Sequence, residues 1–420
     1  MQNSPTSVSG SETLAGKRVV LRRPTSLPAD LASPQKAPRT RDPWLDNVRL
    51  VAAILIAVGH FTTPFLKSNN EWVWLWVTLW GFRLPVFVIV AGYFTYTARY
   101  SLDKVIAVFR DVALVYVIFQ AIASLLAFAN TGNWKFDLGS PHMALWFLPA
   151  LVIWRLLAPL LVRIPHYVIV TTVACLALST LPYEEQWIAR TVAYLPLFVL
   201  GVALRGAGLH ARLNKPSVRL WAWALILAWF AASLIARAAD VKYKRGPFLM
   251  RSGLDGEGWE LVVELAQRAA ILGLGAVLGL ALIAVVPRKR IPVFSALGAG
   301  SFTIYLVHPL IYKQLNYWEI YEDYIDSRFD RLFLVFAVVA LALALGSAPV
   351  RKATRWLTTP KTLIDAVTLR FRAMRAVKSG GKAVPARPVF RKTANATPLS
   401  PVETSATSRR PEPEREGADA

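Results

Sequence analysis

The sequence predicts an all-α polytopic membrane protein with about ten transmembrane helices and disordered basic tails. Three observations carry this. Hydrophobic residues make up 55% of the 420, and the mean hydropathy is +0.41. They gather into stretches of about 20, the length that crosses a hydrocarbon core of roughly 30 Å at 1.5 Å per residue. Tryptophans cluster near stretch ends, as at Trp72, Trp74, Trp76 and Trp80, where an interfacial aromatic belt belongs.

Residues 1–43, rich in Ser, Pro, Ala, Lys and Arg, read as a disordered basic arm. The arm holds no short apolar run with a cleavage site, so the first span is expected to act as the insertion signal. A transmembrane domain follows over 44–358. Its spans fall at roughly 46–66, 72–97, 105–129, 143–163, 167–182, 187–205, 217–238, 261–286, 299–316 and 332–350. The span at 167–182 is short, and 72–97 is long enough to tilt or bend. Residues 359–380 form an amphipathic interfacial segment, with Leu363, Val367, Phe371 and Met374 on one helical face among Arg370, Arg372 and Arg375. Residues 381–420, rich in Pro, Ser, Thr, Arg and Glu, read as a disordered tail.

The formal charge of +22 raises nucleic-acid binding, but the basic residues lie in tails and short loops between apolar spans. There they set orientation and meet anionic lipid headgroups, so no nucleic-acid partner is expected. With the N-terminus cytoplasmic, the inner loops hold Arg99, Lys104, Arg163, Arg205, Arg212, Lys215 and Arg288-Lys289-Arg290. The outer loops are mostly acidic or neutral, with Glu184-Glu185 in one and Glu319, Glu322, Asp323 and Asp326 in another. One outer loop dissents, carrying Lys242, Lys244, Arg245 and Arg251. Both termini are therefore expected to be cytoplasmic, in a multi-pass protein of the cell membrane. Cys175 is the only cysteine, which excludes intramolecular disulfides and cysteine-rich metal sites. No residue pair has metal-ligand spacing, no glycine loop cradles a phosphate, and no tightly bound cofactor is expected.

Several polar residues fall inside the apolar spans, where an ionisable group costs at least a few kcal/mol and usually faces a cavity. Arg49 and His60 are eleven residues apart on the first span. That is three turns plus about 20°, so both project from one face, about 16 Å apart along the axis. Pro64 should disrupt the bond to the His60 carbonyl. Arg83 lies about eleven residues into the second, antiparallel span, level with His60, and Pro85 should kink that helix. The ninth span carries Tyr305 and His308 one turn apart, with Pro309 next. A lone His can be a packing residue bonded to a neighbouring helix, and that reading weighs more on His308 than on His60. Glu264 and Arg268 read as a local ion pair, and His142, His166 and His210 as surface residues.

These residues bring a family into view. Trp44-Leu45-Asp46-Asn47-Val48-Arg49 running to Gly59-His60 resembles the Arg-X10-His first helix of the acyltransferase family 3 membrane proteins. Phe82-Arg83-Leu84-Pro85-Val86-Phe87 leading to Ala91-Gly92-Tyr93-Phe94 resembles the family's Arg, Pro, Phe, Ser-Gly-Tyr segment. Leu145-Trp146-Phe147-Leu148 resembles its Leu-Trp-Phe-Leu segment, and Ser301 to His308 resembles its late Ser…Tyr-Leu-X-His helix. The match covers about residues 43–350. Ala91 stands where the family often has Ser, and Ala144 where some members have His.

The resemblance implies an O-acyltransferase moving an acyl group, commonly acetyl, from cytoplasmic acyl-CoA to a hydroxyl of an extracytoplasmic or lipid-linked carbohydrate or related metabolite. His60, Arg49 and Arg83 would then be catalytic: Arg49 holds the donor, His60 serves as general base or acyl carrier, and Arg83 stabilises the oxyanion. Tyr305, His308, Asp46 and Trp146 would contact substrate. The rival class is a secondary transporter of a small organic solute. It would show repeat symmetry between halves, yet Arg-X10-His is not echoed in the later spans, and no mid-depth carboxylate is present for proton coupling.

Overall fold

The structure is a computed structural model that describes residues 42–67, 70–95, 97, 101–361 and 364–365. The basic arm to residue 41, the Leu363–Val367–Phe371–Met374 face and the 381–420 tail lie outside the described residues. Described residues up to 361 belong to one compact unit, and Ile364 and Asp365 to another. The architecture is all-α, with no strand among the described residues. Among the described residues seven helices are long and apolar enough to cross a membrane, and up to nine if each of two bent pairs counts as one span. This is a polytopic membrane protein.

Helix α1 (Pro43–Phe61) starts where the Asp42 carboxylate accepts from the Trp44 N–H at 3.0 Å, with Pro43 in the first turn. Two-thirds of α1 (67%) is buried inside the protein, against 17% of the peripheral helix at Pro216–Ala238, so α1 is the central post. The expected span 46–66 runs shorter than its apolar pattern. The hydroxyls of Thr62 and Thr63 donate back to the Val58 and Gly59 carbonyls at 2.8 and 3.0 Å. Pro64 then opens a separate 3-10 turn over Pro64–Lys67. His60 thus stands in the last turn of α1, and its carbonyl accepts from the Thr63 N–H at 3.1 Å. Pro64 ends this helix rather than loosening it.

The expected span 72–97 is broken into α2 (Asn70–Thr78), a 3-10 turn at Trp80–Phe82 and α3 (Leu84–Tyr93), with a bend of 43°. The break falls before Pro85, which occupies the first turn of α3, where its missing N–H is an orphan anyway. Helix α4 (Leu102–Thr131) contains a π-turn at Phe109–Ala113 and stops at Gly132, whose φ of 72° favours a residue without Cβ. After a 3-10 turn at Met143–Trp146 come α5 (Phe147–Leu161) and α6 (Tyr167–Leu178). At 12 residues, α6 is about 18 Å long and falls short of a full crossing.

Helices α7 (Gln186–Gly206), α8 (Pro216–Ala238) and α9 (Trp259–Val285) follow. The ninth expected span is a bent pair, α10 (Pro292–Gly298) and α11 (Ser301–Tyr317), turned by 66°, before α12 (Arg328–Gly346). Helix α1 packs against α3, α10, α11 and α12. Helices α3 and α7 approach through facing glycines: a Cβ on Gly92 would strike the Phe198 carbonyl, and one on Gly201 the Ile89 carbonyl.

Glu264 and Arg268 form no ion pair within 4.0 Å, contrary to expectation. Both instead hold the loop before α9. Arg268 donates to the Ser252 carbonyl at 3.1 Å, and Glu264 accepts from the Gly256 N–H at 3.2 Å. His142, expected at the surface, is half-buried; its N–H donates to Gln120 at 3.0 Å, and its ring lies 3.3 Å from the Ser124 hydroxyl. Burial, then the charges of Lys313 and Lys135, lowers the His142 pKa below its ordinary value.

Candidate active site

The site forms where the end of α1, the α2–α3 break and the middle of α11 meet. Arg83 stands at the break itself and is only 7% exposed. Its Nη2 donates to the Trp76 carbonyl at 2.8 Å, and its Cζ lies 4.4 Å over the Trp76 ring. The guanidinium rests against Gly59, where any Cβ would collide with Nη1. Glycine at 59 is thus what lets Arg83 reach the residue next to His60. Arg83 Nε has no hydrogen-bond partner among the described residues.

Helix α11 delivers three groups on successive turns. His308 is 1% exposed, and its Nδ1 lies 2.8 Å from the Ile304 carbonyl, which can only accept. In the neutral ring Nε2 then carries the lone pair, and it has no partner among the described residues. The His60 and His308 rings meet edge-on with centroids 5.2 Å apart, and Tyr312 lies 6.5 Å from His60. The Tyr305 hydroxyl donates to the Ala144 carbonyl, and its ring stacks on Phe87 at 5.3 Å. Its proton is therefore committed to fastening α11 to the turn before α5.

Between these elements lies a cavity of about 540 Å³. His60, Arg83, Tyr305 and Trp146 line it, together with Arg190 and Tyr194 of α7. Loops close its mouth. Gln120, fully buried, donates to the Asp137 and Ser140 carbonyls at 2.6 and 3.1 Å and so fixes one wall. Glu184, Glu185, Arg245 and Arg251 come from the loops before α7 and α9.

The structure therefore brings His60, Arg83, Tyr305 and Trp146 to one cavity and packs His308 behind His60. Arg49 and Asp46 do not line that cavity. They lie toward the start of α1, paired at 3.3 Å, with Arg49 Cζ 4.3 Å over the Phe94 ring. Beside them Asn47, fully buried, donates to the Pro287 and Lys289 carbonyls at 2.8 and 3.3 Å and accepts from Ser295 at 2.8 Å. Sequence reasoning missed the spacer role of Gly59 and the contributions of Tyr312 and Arg190. Arg190 carried a signal, being a cation four residues into an apolar span. The packing of Gly59 carried none.

A family model described as an acyltransferase domain matches residues 42–349. Comparison with curated proteins and with solved structures gives no match. The matched region contains α1 to α12, the cavity and every residue placed in it above. On this match, and on the bundle that carries it, the chain belongs to the acyltransferase family 3 membrane proteins.

Proposed function

We propose that this membrane acyltransferase moves an acyl group, acetyl in the simplest case, from cytoplasmic acyl-CoA to a hydroxyl of an extracytoplasmic or lipid-linked carbohydrate or related metabolite. On this reading it sits in the cell membrane with both termini cytoplasmic, and Arg49, near the inner face, holds the donor phosphates by charge-assisted hydrogen bonds. The observation that supports it best is the meeting of His60 and Arg83 across Gly59 in one cavity.

His60 takes the proton of the acceptor hydroxyl as its oxygen attacks the thioester carbonyl. Arg83, with Nε uncommitted and Nη2 anchored on Trp76, stabilises the oxyanion. The C–S bond then breaks, the thiolate takes the proton from His60, and an ester and free CoA leave. His308 supplies a second imidazole 5.2 Å away for proton relay. Tyr305 and Trp146 shape the wall on which the acceptor rests. Asp46 acts through Arg49.

The test is labelled acetyl-CoA offered to purified protein in lipid nanodiscs. Thioester consumption should fall at least about 100-fold in His60→Ala, the usual contribution of a positioned general base. Wild-type turnover in a folded His60→Ala protein would overturn the assignment.

A further inference from the structure

The dissenting outer loop has a place in the cavity. Arg245 and Arg251 flank the short helix Gly246–Leu249, and both line the wall that also carries Arg190 and Arg83. Helix α7 fastens this loop: Arg190 Nε donates to the Leu249 carbonyl at 3.2 Å, and the Tyr194 hydroxyl donates to the Phe248 carbonyl at 3.0 Å. Met250 follows in the left-handed region at φ 48° and is buried, a conformation retained only where the surroundings enforce it. Two more bonds hold the outgoing strand of chain, Arg268 to Ser252 and the Leu254 N–H to the Ser179 carbonyl at 2.7 Å. The two loop arginines therefore stand on a fixed frame.

Four guanidinia face one cavity, and none of them has a carboxylate within 4.0 Å among the described residues. Burial, then the like charge of Arg245, lowers the Arg251 pKa below its ordinary value. The two carboxylates at the mouth, Glu184 and Glu185, stay apart from these groups; Glu185 accepts from the Ser140 hydroxyl at 3.2 Å. Unneutralised cations in a half-dry cleft raise the local potential and favour an anion there. The same walls carry Trp80, Trp146 and Trp187, flat apolar surfaces for the C–H face of a ring. Arg190 lies 5.2 Å over the Trp146 ring, so charge and platform are adjacent.

We infer that the acceptor is an acidic sugar, its carboxylate or phosphate ester bound by Arg190, Arg245 and Arg251 while a ring hydroxyl is presented to His60. This inference rests on the acyl-transfer reading for the hydroxyl and on the arginine cluster alone for the charge. Specificity then follows from a fixed cationic wall, so neutral sugars of the same shape bind weakly.

The experiment titrates purified protein in nanodiscs with glucose, glucuronate and glucose 1-phosphate, following the fluorescence of the lining tryptophans. At least one acidic sugar should bind about tenfold tighter than glucose, as expected of a charge-assisted contact. The preferred one tells a carboxylate acceptor from a phosphate ester. The preference should fall below about threefold in Arg245→Gln/Arg251→Gln, both surface-loop changes, and shrink as salt rises. Equal binding of all three sugars, or an unchanged preference in the double variant, would overturn the inference. In parallel, labelled acetyl-CoA reports on the chemistry. Charge-selective binding without transfer to any sugar would count against the acyl-transfer reading and leave the anion site standing. If the double variant instead weakens acetyl-CoA and leaves sugar binding intact, the arginines belong to the donor and the inference is wrong.

Discussion

The two ends of α1 use buried polar residues in opposite ways. At the starting end the groups look inward: Asn47 is bonded to Pro287, Lys289 and Ser295, and Asp46 lies 3.3 Å from Arg49. At the far end the groups lie at a cavity or just behind its wall. Among the described residues Arg83 Nε and His308 Nε2 have no hydrogen-bond partner, and the arginines of the wall have no carboxylate within 4.0 Å. The bonds of Asn47 fix geometry, whereas Arg83 Nε and His308 Nε2, unmet at or behind a cavity wall, are held ready for something else. The contrast separates a bonded joint from an open cleft on a single helix, and the proposed chemistry belongs to the cleft.

The sharpest way to break the comparison is Gly59→Ala. Alanine is the better helix former, so α1 itself gains, but the new Cβ must displace the Arg83 guanidinium. If Arg83 has the proposed oxyanion role, transfer should fall about 100-fold, the usual consequence of moving such a group by about 1 Å. Folding, followed as monodisperse protein in detergent, should be unaffected. An unchanged rate would mean that Arg83 need not sit beside His60.

The opposite outcome is expected at the joint. Asn47→Ala takes the acceptor from the buried Ser295 hydroxyl proton and the donor from the part-buried Pro287 carbonyl, which should lower stability by about 1–3 kcal/mol. The thermal unfolding midpoint in detergent should drop visibly, while turnover per folded molecule stays within about twofold. If turnover collapsed with stability intact, Asn47 would belong to the chemistry.

How much of this was legible from residues alone differs along the same helix. Apolar length announced the bundle, because a bilayer leaves few alternatives to helices of fixed length. The short α6 was visible too, as the brief apolar run at 167–182, of which the structure makes a helix of 12 residues. Arg83, His60 and Tyr305 stood out because polar groups in apolar runs are costly. The end of α1 at Phe61 was misplaced by five residues: the apolar pattern continues through Phe65 and Leu66, and the helix closes where the Thr62 and Thr63 hydroxyls bond back to the last turn and Pro64 opens a new one. The role of Gly59 was illegible, since a close approach depends on a side chain 24 positions away. Arg245 and Arg251 were noticed as a breach of the charge bias, but nothing in spacing tells that a loop folds back over a cavity.

The smallest effect tests whether the two ends are chemically separate. The Asp46 carboxylate is nearly buried, at 8% exposure, whereas the Arg49 side chain it meets is 31% exposed and also lies over Phe94. Asp46→Asn keeps the shape and removes the charge, so Arg49 loses one of its constraints and keeps the ring contact. A pair with one partner partly exposed contributes on the order of 0.5–1 kcal/mol, which predicts a two- to fivefold rise in the KM for acetyl-CoA. The kcat and the acceptor KM should not move, because neither Asp46 nor Arg49 lines the cavity that holds His60 and Arg83. Steady-state kinetics with each substrate varied in turn decides it. A shift confined to the donor keeps one end of α1 for the donor and the other for the reaction. A shift in the acceptor KM would show that the cavity extends along α1 and that the two regions are one site.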